Sequence, residues 1–172
     1  MLSLYIQPAS RAHQQAFIEM VAEFEAAGER YGNYEQARQD LPAYLRRLEK
    51  DARGEELLPD HVAQTTYWLF DETGRMLGES RLRHHLNEDL LTFGGNIGYR
   101  IRPSARRQGC ATRLLALTLE KAREMGLQRV LVTCDDSNLA SARVIEANGG
   151  VLENRLQPPG MLQLVRRYWI EL

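Results

Sequence analysis

Apolar residues recur along this chain with two different periods, and the change of period divides it into elements. Leu2 to Gln7 alternates weakly and predicts a short strand ended by Pro8. Phe17, Met20, Val21, Phe24 and Ala27 then follow helical spacing. That predicts a helix capped at Ser10 and stopped by Gly28 and Gly32. Asp40 and Pro42 suit a second helix start, Tyr44, Leu45, Leu48 and Ala52 form its inner stripe, and Gly54 closes it. From Thr65 to Phe70 the chain turns β-branched and aromatic, Asp71 to Gly74 signals a turn, and Arg75 to Leu86 predicts a partner strand. A polar link at 87–89 leads through Gly94-Gly95 to a strand over Asn96 to Arg102, ended by Pro103.

The second half has the stronger pattern. Thr112 to Met125 predicts a helix with Leu114, Leu115, Thr118, Leu119, Ala122 and Met125 inward and Gly126 as its stop. Val130 to Cys134 is a short apolar run, as expected of a strand covered on both faces. Asp136 or Ser137 would cap a helix over Asn138 to Ala147, ended by Asn148-Gly149-Gly150. Val151 to Leu156 and Met161 to Ile170 predict two strands around a Gln157-Pro158-Pro159-Gly160 turn. The order is β, two helices, three strands, helix, strand, helix, two strands. That is an α/β protein with one mixed sheet, read as a single domain over residues 1–172.

Charge narrows the functional classes. Lys+Arg is 22 and Asp+Glu is 23 in 172 residues, so no global field draws the chain to nucleic acid or an anionic membrane. Any phosphate binding must come from a local cluster. The two cysteines, Cys110 and Cys134, match no zinc spacing and no disulfide framework, so no metal site is expected. No apolar stretch approaches the roughly 20 residues of a membrane span, and the N-terminus lacks the pattern of a signal peptide, so a cytoplasmic location is expected.

A local cluster exists. From Arg100 to Arg113 the chain holds five arginines and no acid, and this stretch joins a strand to a helix start. Unpaired N–H groups at a helix N-terminus attract anions. Gly109 lets the main chain approach a bulky anion, Ala111 keeps the first turn clear, and Arg106 and Arg107 can add charge-assisted hydrogen bonds. The loop suits a diphosphate. It is neither a triphosphate-binding loop nor a dinucleotide fingerprint, because both of those patterns are absent.

Arg106-Arg107-Gln108-Gly109-Cys110-Ala111 resembles the R-x-x-G-x-A form of the acetyl-CoA loop of GNAT N-acetyltransferases. Ile101-Arg102-Pro103 looks like the end of that family's central strand, and Asn138-x-x-Ser141 followed by Gly149 is similar to its asparagine helix. The likeness covers about Gly94 to Leu156. The segment from Gly95 to Arg106, with Asn148-Gly149-Gly150, also resembles a predicted-acetyltransferase branch of the family.

The resemblance implies two central strands that splay apart, helices on both faces of the sheet, and acetyl-CoA as the donor to an amine. Mapped onto this chain, main-chain groups of Tyr99 and Ile101 would meet the pantetheine amides. Arg106, Arg107, Gln108, Gly109, Cys110, Ala111 and Thr112 would hold the diphosphate. Asn138 and Ser141 would lie near the sulfur end. The acceptor would be a small molecule or a protein amine, and a homodimer is possible through the C-terminal strand. A catalytically silent acyl-CoA-binding domain is the alternative.

The chain departs from the family at both catalytic positions. A tyrosine often stands seven residues after the asparagine, where this chain has Ile145. An acid often stands where this chain has Asn96. Glu79, His84 and His85 are the substitute candidates, each also readable as an ordinary strand residue, with adjacent histidines facing opposite ways. Cys134 reads as a small buried hydrophobe at a strand end. Tyr67, Trp68 and Tyr168-Trp169 read as core.

Overall fold

The computed structural model describes residues 3–29, 34–160 and 162–172. Seven strands form one mixed sheet in the order β1-β2-β3-β4-β5-β7-β6. These are β1 (Tyr5–Pro8), β2 (Gln64–Phe70), β3 (Met76–Arg83), β4 (Ile97–Ile101), β5 (Arg129–Asp135), β6 (Val151–Leu156) and β7 (Val165–Glu171). The helices are α1 (Gln14–Ala26), α2 (Tyr34–Gln39), α3 (Leu41–Arg53), α4 (Cys110–Glu124) and α5 (Leu139–Ala147).

The helical stripes fold as their spacing predicts. Phe17, Met20, Val21 and Phe24 of α1 are buried, as are Tyr44, Leu45 and Leu48 of α3. The Asp40 carboxylate caps α3 by accepting from the Ala43 N–H at 2.8 Å, and Gly54 closes that helix at φ 70°. Ser10 does not cap α1. A 3-10 turn over Arg11–His13 intervenes, and the Ser10 hydroxyl makes no capping bond. Ala27, expected inside, is exposed just past the last turn. The short α2 carries no apolar stripe, since Ala37 is its one buried apolar residue among the described ones, and periodicity therefore missed it.

Helices α1 and α3 cover one face of the sheet. Phe17 stacks between Trp68 and Tyr44, with ring centroids 5.0 and 5.8 Å away. Helices α4 and α5 cover the other face with Leu114, Leu115, Ala142 and Ile145. There the Thr118 and Ser80 hydroxyls meet at 2.7 Å, and Thr118 also donates to the Leu114 carbonyl. Met125, expected inward, caps the C-terminus of α4 and is 41% exposed.

Strands β2, β3 and β4 make an antiparallel meander. Strand β3 ends at Arg83 instead of Leu86, and a π-helical turn over Leu90–Gly94 fills the link to β4. Strand β7 begins at Val165; of the strand expected from Met161, that first residue lies outside the described ones. The helix after β5 is capped by Asn138, not by Asp136 or Ser137: its side-chain oxygen accepts from the Ser141 N–H at 3.0 Å.

The site-forming feature is the β4–β5 junction. These parallel strands are joined at one pair, Ile97 with Val132, and then part. Asn96 pins the closed end. Its N–H donates to the Leu131 carbonyl at 2.6 Å, and its side-chain oxygen accepts from the Leu131 N–H at 2.8 Å. Gly95 precedes it at φ 63°, where a Cβ would stand 2.6 Å from the Leu131 carbonyl oxygen, so only glycine fits.

Candidate functional site

Beyond Ile97 the edge of β4 toward β5 is open. The Arg102 N–H donates to Leu77 of β3. Successive residues of a strand point their main-chain groups to opposite sides, so those of Tyr99 and Ile101 face the gap. A cavity of about 290 Å3 occupies it, lined by Gly98, Tyr99, Cys134, Asn138 and Ser141 among others. An extended amide-bearing arm could pair there as an added strand.

At the far end of β4 the chain makes a 3-10 turn over Pro103–Ala105 and enters α4 through Gly109 at φ 80°. No carbonyl among the described residues accepts from the N–H groups of residues 107–112. A Cβ added at Gly109 would meet nothing within 4 Å. Open space beside six consecutive free N–H groups at the start of a long helix suits a diphosphate.

The side chains of this loop divide the work. The Arg106 guanidinium is spent on the protein. Its fork donates to both Glu29 oxygens at 2.6 and 2.7 Å, and its Nε donates to the Ile101 carbonyl. It therefore ties the loop to the end of α1. The Gln108 amide donates to the Ser104 carbonyl. Arg107, at φ 58°, is exposed. Cys110, the first residue of α4, is buried, and burial pushes its thiol up.

A second clamp stands beside the first. Arg102, 6% exposed, donates from Nε to Glu23 at 2.7 Å and from Nη1 to the Met76 carbonyl. The Ser104 N–H donates to the same carboxylate. Burial pushes the Glu23 carboxyl up, but the Ser104 main chain and hydroxyl together with Arg102 overcome it and hold the group at about 2. Glu23 of α1 and Glu29 just beyond its end thus fix the loop that follows β4 through two arginine–glutamate pairs.

Inside the cleft the phenol of Tyr99 meets the Ser141 hydroxyl at 2.7 Å, and burial pushes its pKa up to about 12. The strand pattern marks Tyr99 for its main chain; no local signal marks its phenol. Ile145 is fully buried behind Gly150, where a Cβ would stand 2.5 Å from it. Asn138 is partly committed to its cap. Cys134 is nearly buried yet lines the cleft, and burial pushes its thiol up.

Glu79 is not the solvated strand residue its position allows. It is 1% exposed and lies on the α1/α3 face, opposite Arg100 of β4. One carboxylate oxygen stands 3.4 Å from Arg81 and 3.8 Å from Arg100, and the other has no hydrogen-bond partner. Burial and the Glu79 charge raise the phenol of nearby Tyr44 well above its usual range. Beside this cluster opens a second cavity of about 410 Å3, lined by Arg47, Asp51, His61, Arg81 and Arg83 among others. His84 bonds Thr65 at 2.9 Å and His85 is exposed; neither lines either cavity, and Glu79 stands behind Arg81 without lining one itself. Burial and then the His85 charge push His84 down. No cluster of metal-ligating residues exists among the described residues, and none of their helices is long and apolar enough to cross a membrane.

Known proteins share this architecture. The ribosomal L7/L12 alpha-N-protein acetyltransferase RimL, solved with coenzyme A in disulfide linkage to a cysteine of that protein, superposes with a TM-score of 0.73 at 20% identity, covering 99% of this chain and 94% of that one. The Salmonella typhimurium acetyltransferase that modifies the N-terminal serine of L7/L12 gives 0.68 at 20% identity, covering 99% and 95%. YncA, a putative acetyltransferase of Salmonella typhimurium solved with acetyl-CoA, gives 0.63 at 14% identity, covering 98% and 94%. No curated protein matches the chain in sequence. The family model for the acetyltransferase (GNAT) domain matches residues 3–151. The chain therefore belongs to the GNAT acetyltransferase family.

Proposed function

We propose that this protein transfers the acetyl group of acetyl-CoA to an amine. The observation that carries the reading is the pairing of an open β4 edge with a helix N-terminus whose first amides are unspent. The spacing suits a pantetheine arm on Tyr99 and Ile101 and a diphosphate on residues 107–112. Arg107 supplies an exposed cation for the phosphates. Arg106 contributes by holding the loop, not by touching phosphate.

In the transfer step the amine nitrogen attacks the thioester carbonyl carbon, the carbon–sulfur bond breaks, and an amide and the free thiol result. The amine must first lose a proton, since an ordinary ammonium has a pKa of ~10.4. Glu79 receives that proton through ordered water: its buried, unpartnered oxygen calls for a bound water. The developing oxyanion is met by the Tyr99 N–H on the open edge of β4. As the carbon–sulfur bond breaks the nitrogen gives up its second proton to water, and the Tyr99 phenol, neutral at working pH, donates its proton to the departing sulfur and is reprotonated from solvent. The phenol thus fills the role that Ile145 cannot.

The test is release of free thiol from acetyl-CoA by the purified protein across a panel of amines, with acetylated product confirmed by mass. Amine-dependent thiol release supports the reading. Binding of acetyl-CoA with no release on any amine would instead support a silent acyl-CoA-binding domain.

A further inference from the structure

Resting on that reading, we infer that the acceptor is a small amine carrying an anionic group, with a carboxylate as the reference case, and that Arg83 binds that group. Arg83 projects from the end of β3 into the 410 Å3 cavity. That volume suits a small molecule. The other arginines of the cavity are already matched. Arg47 donates to the buried Asp51 at 2.7 Å, and Arg81 faces Glu79. Arg83 forms no ion pair among the described residues. Its Nη1 donates to the carbonyls of Gly94 and Gly95, which fixes the guanidinium on the β4 approach and leaves Nε and Nη2 without such partners.

The two remaining acids of the cavity, Asp60 and Asp89, are exposed at its rim and screened by water. A half-buried, unmatched guanidinium beside a second arginine is costly unless an anion completes it. Burial and then the Arg81 charge both push Arg83 below its usual range, consistent with that vacancy of countercharge.

Register relates this anion site to the chemistry. Arg81 pairs with Gly98 of β4, which lines the donor cleft, and the Arg83 N–H donates to Asn96. Arg83 therefore lies two strand residues from the transfer point, about 7 Å along β3. A Cβ at Gly98 would meet nothing within 4 Å, so the amine has an open approach there. An acceptor whose ammonium and anion stand a few bonds apart spans the two positions. Its ammonium lies toward Glu79 and its anion on Arg83.

The experiment compares matched amines: ω-amino acids of increasing length, their methyl esters, and diamines of the same length. Each is assayed for kcat/KM in thiol release and for binding to the coenzyme A-loaded protein by calorimetry. Wild type is expected to prefer the amino acid over its ester by about 10- to 100-fold, the worth of one charge-assisted bond. In R83Q that ratio falls toward one, and in R83K it recovers in part. Transfer to esters or diamines as good as to the amino acids would overturn the anion site while leaving acetyl transfer standing. Binding of the amino acids lost in R83Q, with no transfer to any amine, would support the anion site and overturn the enzymatic reading. Equal binding of amino acid and ester by wild type refutes the proposal whether or not R83Q folds.

Discussion

Glu23→Gln removes one charge from the clamp that sets the loop after β4. The Glu23 carboxyl is held at about 2 instead of 4.5. Ionised, it therefore contributes about 3 kcal/mol more to folding than when protonated. Its side chain is 23% exposed and its partner Arg102 only 7%, so little of this is lost to screening. Glutamine can still accept from Ser104, which returns part of the loss. The expected cost at pH 7 is about 2–3 kcal/mol, measured by urea unfolding with unchanged m-value. The pH dependence carries the sign. A depressed carboxyl stabilises the fold above its unfolded pKa and loses that contribution as pH falls. Wild type should therefore weaken from about pH 5 down toward pH 2, and E23Q should lack that component. Acetyl-CoA affinity should fall in the variant, because Ser104 leads directly into the phosphate loop. A variant within about 0.5 kcal/mol of wild type, with the same acid slope, would refute the clamp.

Two further substitutions address the chemistry. Tyr99→Phe should lower kcat about 10- to 100-fold with little change in the KM for acetyl-CoA, read by steady-state thiol release. An equal rise in KM would mean that the phenol only shapes the cleft. Glu79→Gln should lower kcat/KM about 100-fold at pH 7, with recovery as pH rises toward the pKa of the acceptor amine. A loss that is constant from pH 7 to 9 would point to packing alone.

The elements were legible where one face is buried. The stripes of α1, α3 and α4 and the apolar run of β5 declare their partners through period alone. Helix α2 and the π-helical turn do not, because their residues are mostly polar or partly exposed. The loop with Gly109 was readable because a positive φ and a helix start leave a local signature. The partners of Arg106 were not: Glu29 lies 77 residues away in sequence, and only the fold joins them. The same holds for the site. Asn96 stands where an acid is usual, but its role as a pin on Leu131 depends on a strand 35 residues later. Glu79 could be named as a candidate from its strand. Its burial comes from α1 and α3, which no local pattern reports. Tyr99 was visible as a strand residue, and its phenol became part of the site only when α5 brought Ser141 against it.

Cofactor binding depends on the free amides around Gly109, and calorimetric titration with acetyl-CoA reads their contribution. Wild type should bind with measurable heat and a raised Tm. Gly109→Glu should bind none while remaining folded, since its side chain would enter the phosphate space with its own negative charge and carry a left-handed backbone cost of about 1–2 kcal/mol. Absence of heat and of any Tm shift in wild type, or wild-type affinity in G109E, would contradict that dependence.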